Sequence, residues 1–213
     1  MNYRKKMYFV LLIFFFAYQN TYSQFNKRFQ DISNKDVIEA LQFAGIDIFK
    51  IPLDSIKQNY GFSIIADEYV TKDSIIFSDT LLSYFTVYGK YNEKMKAEDA
   101  FIDHFRFVSK ILNNSYEKIF LLISTNSVET WREMTIDKKY ARKHYWVRFA
   151  KQPQVIGQKI PLLFYGSEWD NIINGKKVPR YCSREELTKE LNDPTIKFIP
   201  HFFIISYELN TLP

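Results

Sequence analysis

The 213-residue sequence contains one cysteine, six glycines and three histidines. A single thiol, Cys182, rules out an intramolecular disulfide; it is buried, reactive, or paired with another chain. So few glycines leave no Gly-rich loop to cradle a phosphate, and no nucleotide motif is present. The histidines, His104, His144 and His201, are isolated from one another. No His-Glu-x-x-His or Cys-x-x-Cys spacing marks a metal site, and neither metal nor cofactor is expected. No internal repeat, low-complexity tract or Pro/Ser-rich linker divides the chain. Apolar runs long enough to span a bilayer are also missing, since spanning takes about 20 residues.

The longest apolar run, Met7 to Ala17, is eleven residues. As a helix it would span roughly 16 Å at about 1.5 Å per residue. Arg4, Lys5 and Lys6 precede it, and polar and small residues follow, among them Thr21 and Ser23. A basic n-region, a short h-region and a small-residue end make a secretory leader. Cleavage is expected between Ser23 and Gln24. Residues 1–23 form the signal peptide and 24–213 a single domain. This layout resembles leaders of Gram-negative envelope proteins, and no Cys near the cut offers an acceptor for a lipid anchor. The alternative is a retained N-terminal membrane anchor.

The full chain has 29 Lys+Arg against 24 Asp+Glu. The leader holds three of the basic residues and none of the acidic ones, so residues 24–213 carry only 26 against 24. The basic balance belongs largely to the leader, and nucleic acid is not expected as a partner. Phe and Tyr are abundant, at 20 and 15. Together with Ile, Asn and Lys they match what an AT-rich genome supplies, so aromatic content alone does not mark a stacking site.

Ser33 or Asn34 followed by Asp36 and closed by Gly45 predicts a helix over Lys35–Ala44. A second helix is expected from Ala97 to Leu112, where Phe101, Phe105, Val108 and Leu112 share a face. Asn126 with Glu129 and Ser183 with Glu186 have capping-box spacing. They predict short helices through Met134 and over Arg184–Leu191. Apolar runs at 46–53, 60–70, 74–78, 81–91, 118–124, 161–165 and 196–209 predict strands, with a break at Pro200. Asn174–Gly175 is a hairpin signal. Residues 137–150 fit helix in their first half and strand in their second. Few helices without βαβ alternation give an α+β fold: a curved, mainly antiparallel sheet with a few packing helices. A parallel α/β fold is the alternative.

Three stretches can carry chemistry. In "GSEWDN", Glu168 and Asp170 flank Trp169 just after a strand. Carboxylates accept sugar hydroxyls, an indole can pack on a pyranose, and paired carboxylates suit glycosidic acid–base chemistry. The bland alternative is a solvated turn with a core-packed Trp. "KKYARKHYWVRFAK" (138–151) has basic residues interleaved with aromatics, and Lys139, Arg142 and Trp146 are its candidates for gripping an acidic glycan or lipid headgroup. Its bland alternative is a solvated basic face. Cys182 precedes a possible N-cap, where a histidine could act as its base. No nucleophile motif supports that pair, and the catalytic residues, if any, are unknown. Asp–Ser/Thr–aliphatic triplets at Ser55, Ser74 and Thr80 resemble O-glycosylation acceptors of some Gram-negative envelope proteins. They also read as ordinary turns.

These observations point to an exported protein, periplasmic or secreted, with a non-enzymatic binding or accessory role toward a protein or glycan. No stable membrane span is expected after leader removal. A hydrolase of envelope polymers using Glu168 and Asp170 is the alternative. Intact-mass measurement of the protein from its own envelope should find a chain starting at Gln24. A chain retaining Met1 in the membrane fraction would favour the anchor instead.

Overall fold

The computed structural model describes residues 33–212, apart from 54–55, 57, 72–73, 89–93, 95–101, 113–114 and 192. The expected cleavage site at Ser23 and Gln24 and the acceptor Ser55 lie outside the described residues. The chain divides into two compact units, Met1–Ala44 and Gly45–Pro213.

In the first unit, helix α1 runs Asn34–Phe43. The Asp36 amide donates to Ser33 Oγ at 3.2 Å, and the Ser33 amide donates to the Asp36 carboxylate at 2.7 Å. This reciprocal capping box satisfies two otherwise orphaned N–H groups. Val37, Ile38 and Phe43 are exposed, and no residue of α1 is buried.

The second unit is built of strands. A four-stranded antiparallel sheet has the order β1 (Ile46–Pro52), β4 (His104–Ile111), β5 (Lys118–Ser124), β6 (Glu129–Thr135). A six-stranded sheet has the order β11 (Glu186–Leu187), β7 (His144–Phe149), β8 (Lys159–Ser167), β12 (Phe202–Asn210), β2 (Tyr60–Thr71), β3 (Ser74–Val87). It is antiparallel except for the two-residue β11–β7 pair. Strands β9 (Trp169–Ile173) and β10 (Lys176–Arg180) form a separate hairpin. Its turn places Asn174 at φ 50° and Gly175 at φ 73°. Both central residues are left-handed, as a type I′ turn requires and as Asn-Gly tolerates.

The expected α+β class is therefore corrected to an essentially all-β unit, and among the described residues α1 is the one α-helix. Of the second expected helix, residues 97–101 lie outside the described residues and His104–Ile111 is strand β4. Phe105, Phe107 and Ser109 are buried between exposed Arg106 and Lys110, so the period is two rather than 3.6. The pattern admitted both readings, and pairing with β1 and β5 on either side decides it. Helix through Met134 is likewise wrong. Glu129–Thr135 is edge strand β6. Residues 184–191 hold only β11 and turns, because Leu187 is buried in a small core and its carbonyl takes the Ala150 amide at 2.8 Å. The ambiguous 137–150 stretch resolves into a 3₁₀ turn at Lys138–Tyr140 and strand β7. No parallel α/β arrangement is present among the described residues.

Two hydrophobic clusters hold the unit. The larger joins both sheets: Phe105, Phe107 and Leu121 from one meet Phe62, Ile205 and Tyr207 from the other. Phe105 lies 5.6 Å from the Tyr207 ring and 5.7 Å from that of Phe62, centre to centre. The smaller packs Phe164, Phe202 and Ile204 beneath Cys182, Leu187, Leu191, Ile196 and Ile199. The middle of the six-stranded sheet is thus covered on both faces. That explains the unbroken apolar runs of β8 and β12, where alternation would leave buried polar side chains.

The Phe164 ring leans over Gly166, two residues along the same face of β8. A Cβ on Gly166 would stand 2.2 Å from a ring carbon of Phe164, itself fully buried. Gly166→Ala should cost about 1–3 kcal/mol by forcing that ring out of place. Denaturant unfolding checks it, and Gly166→Ala with Phe164→Leu should recover part of the loss. An unchanged midpoint for Gly166→Ala would contradict this packing.

Candidate functional site

Strands β7, β8, β12 and β2 lie side by side. His144 opens β7, His201 directly precedes β12, and Glu68 sits on β2. Residues far apart in sequence therefore meet at one end of the sheet. His144 Nδ1 is 2.7 Å from the Arg142 carbonyl, His144 Nε2 is 3.0 Å from His201 Nδ1, and His201 Nε2 is 2.8 Å from Glu68 Oε1. Tyr140 stacks on His201 and Tyr165 on His144, with ring centres 4.8 and 4.9 Å apart.

The polarity of this chain can be worked out. A carbonyl only accepts, so His144 Nδ1 carries a proton. Making all three bonds then requires three protons shared among two imidazoles and one carboxyl. Either Glu68 is a neutral acid donating to His201 Nε2, and His201 Nδ1 donates to His144 Nε2, or Glu68 is ionised and one imidazole is a cation. Burial decides between them. Desolvation lowers His144 to about 3, against a smaller pull upward from the Arg142 carbonyl. It lowers His201 to about 4, with Asp137 opposing and Lys139 assisting. Desolvation and then Asp137 raise Glu68, with Lys139 opposing. All three shifts run toward the uncharged arrangement, in which both rings are Nδ1–H tautomers.

All four ring nitrogens are engaged. The buried Ser167 hydroxyl nearby has no hydrogen-bond partner among the described residues, so it is not paired with either ring as an activated nucleophile. His104 lies on β4 and contacts Asp103. Cys182 is buried in the smaller core, with Thr195 Oγ1 at 3.9 Å from its sulfur. Among the described residues, no group of three or more His, Cys, Asp or Glu side chains is placed to hold a metal ion.

The residues singled out in sequence fall close together in part. Arg142 donates to Asp170 at 2.8 Å, and Lys177 stands 4.0 Å from the same carboxylate. The Arg142 bond holds the Asp170 carboxyl below its usual range. Glu168 lies between β8 and β9, its amide donating to the Lys143 carbonyl at 2.9 Å. Trp169 stacks on Phe198 with ring centres 6.4 Å apart. Trp146 packs between Tyr165 and Phe49, at 4.3 and 6.0 Å. Lys139 is exposed and pairs with Asp137 at 3.2 Å. Ser74 starts β3 and Thr80 is exposed on it.

An open cleft lies elsewhere, and no local motif announces it. Strand β7 pairs with β8 only from His144 opposite Ser167 to Arg148 opposite Leu163. Two residues further along β8 is Pro161, which has no N–H to offer. There β7 turns away, and Ala150 bonds Leu187 instead. The gap between the departing segment 148–154, β8 and edge strand β1 is a cavity of about 180 Å³. Ile51, Leu53, Phe149, Ile160, Leu162 and Tyr207 give it an apolar floor, while Lys50, Arg148, Lys151, Glu186, Gln152 and Gln154 line it with polar groups. Ala150, Gln152, Ile160 and Pro161 also form one wall of an adjoining depression of about 660 Å³. The Gln152 amide nitrogen is buried in that shared wall without a hydrogen-bond partner among the described residues.

The histidine chain makes stability depend on pH. Between pH 6.5 and about 4 the unfolded chain protonates both imidazoles while the fold excludes those protons, so they favour the fold less as pH falls. Glu68, raised by burial and by Asp137, acts oppositely and offsets part of this. The imidazoles, less the part Glu68 offsets, leave stability falling as pH drops from 6.5 to about 4. Glu68→Gln keeps a donor to His201 and removes the opposing contribution, so it should steepen the slope. Denaturant unfolding across pH 4–8 checks this, and imidazole ¹⁵N shifts check the tautomers. An imidazolium signal at neutral pH would contradict the assignment.

Among the described residues, no helix is long and apolar enough to cross a membrane. Comparison with curated proteins and with solved structures returns no match. The sequence profile of one family, described as a domain of unknown function (DUF5041), matches residues 14–211. With nearly the whole chain covered, the protein belongs to that family.

Proposed function

We propose that this chain is an exported binding protein, non-enzymatic, whose ligand site is the cleft between β1 and the segment 148–154. The observation that carries the reading is the make-up of that cleft: an apolar floor with unlike polar groups at its rim and an orphaned amide in its wall. Apolar concavities with a few convergent polar groups are where small ligands and chain ends bind. A buried donor without an acceptor costs about 1–3 kcal/mol, which an incoming acceptor can return. The N-terminal leader pattern supports export.

His144, His201 and Asp170 are all engaged within the protein. Asp170 is tied to Arg142 and held in its ionised form, which suits the second carboxylate of a glycosidase but not its acid, and its bond to Arg142 already occupies it. The hydrolase reading with Glu168 and Asp170 predicts that Glu168→Gln or Asp170→Asn abolishes turnover of an envelope polymer. The binding reading predicts no turnover to lose.

A ligand-observed NMR screen of small acids, amines, alcohols and sugars tests the cleft. Hits should compete with one another and weaken at least about ten-fold in Ala150→Trp, or in Gln152→Glu should the first variant fold poorly. Hits that bind both variants as tightly as the parent would overturn the reading.

A further inference from the structure

We infer that the cleft takes a monocarboxylate carrying a compact aliphatic group, either a free acid or the C-terminal residue of a peptide. This rests on the cleft being the ligand site. Among the described residues, Lys50, Arg148 and Lys151 line it with one acidic residue, Glu186, and Lys151 is already engaged. Arg148 donates to Glu186 at 2.9 Å, so that pair is largely self-neutralised. Lys50 is different. On β1 it stands directly opposite Arg106 of β4, a like-charge cross-strand pair. Arg106 is relieved by Glu129 at 3.8 Å and by Ser124, to which its Nε donates at 3.0 Å. Lys50 makes no ion pair among the described residues. An anion in the cleft can pair with exposed Lys50 without displacing a protein partner, and the orphaned Gln152 amide can donate to the same ligand.

The remaining chemistry narrows the class. A dianionic phosphate is recognised by unpaired Arg forks or clustered backbone N–H groups. Here the one Arg is already engaged, and Glu186 would repel a second negative charge. A neutral sugar would use an exposed aromatic face, but the aromatics of the floor, Phe149 and Tyr207, are buried at 6% and 2% exposure. The floor between them is aliphatic: Ile51, Leu53, Ile160 and Leu162. The cavity of about 180 Å³ far exceeds the roughly 30 Å³ of one water and suits a branched aliphatic side chain. The wider depression sharing the Gln152 wall leaves room for whatever the aliphatic group is attached to.

The test titrates the protein by NMR with N-acetyl-leucine, N-acetyl-leucine amide, acetyl-alanyl-leucine and hexanoate. N-Acetyl-leucine should bind at millimolar strength or better, with its amide at least ten-fold weaker. Lys50→Gln, a change at an exposed edge-strand position, should weaken the acid about five-fold and flatten its salt dependence. Tighter binding of acetyl-alanyl-leucine than hexanoate assigns a peptide C-terminus; the reverse assigns a free acid. Equal binding of acid and amide, or an unchanged acid affinity in Lys50→Gln, overturns the carboxylate class. Failure of every acid overturns it too. In each case the cleft itself stands if a neutral fragment binds and is lost in Gln152→Glu, and falls if bound fragments ignore that variant.

Discussion

Burying β12 on both faces obliges each of its backbone N–H and C=O groups to find a partner within the protein, because water cannot reach them. Two full-length antiparallel neighbours, β8 and β2, meet that demand. The rest of the second unit arranges itself around this requirement. The large cluster covers one face and the loop carrying Cys182, Leu187 and Ile196 covers the other. Along β12 itself the one departure from regular pairing is a register shift between Ile205 and Ser206, opposite Leu163 and Pro161. It falls where β8 carries its proline, next to the point where β7 leaves the sheet. The cleft is therefore a consequence of how the central strands pair. A residue that cannot donate ends the ladder on one side, and the space left by the missing strand is lined by side chains meant for a core and by charges from the edge.

The same burial governs the ionisable groups. Asp67 on β2 is almost fully buried, and it is held by Lys159 at 2.5 Å and the Ser78 hydroxyl at 2.8 Å. A charge there is tolerated because it is paired and hydrogen-bonded. Glu68, the next residue, faces the other way and meets two imidazoles whose protonation is opposed by desolvation. There desolvation pushes all three groups toward their neutral forms, with hydrogen bonds running one way from carboxyl to carbonyl. Successive residues of one strand thus solve burial differently, by ion pairing on one face and by proton retention on the other.

What the sequence made legible is what is local. The cap at Ser33, with Asp36 in the first turn, and the Asn174–Gly175 turn are encoded within four residues of chain, and both are found where expected. Strands β1, β2, β5, β8 and β12 follow from short β-branched and aromatic runs. The expected helices at 97–112, 126–134 and 184–191 fail for a shared reason. Each rested on a cap-like residue or on apolar spacing that a strand satisfies equally well, and cross-strand pairing chose the strand. His144 and His201 are 57 positions apart. Nothing in either neighbourhood signals the other; only the strand order β7-β8-β12-β2 brings them together. The cleft was half legible, since Arg148 and Lys151 belong to the basic stretch already singled out, but Lys50 comes from a strand a hundred residues earlier.

That division bears on how the basic stretch 138–151 works. Read along the chain it is a single run of positive charge. In the fold its members separate. Lys139 faces Asp137, Arg142 faces Asp170 and Arg148 faces Glu186, each cation meeting an acid supplied by its own neighbourhood. A run that is neutralised pair by pair has little field left with which to hold a polymer along its length. The end of the run, where β7 has left the sheet and Lys50 arrives from β1, borders the cleft. The charge pattern therefore argues for recognition of one end of a small anionic ligand rather than of an extended acidic surface, and it places that end over an aliphatic floor instead of in open solvent.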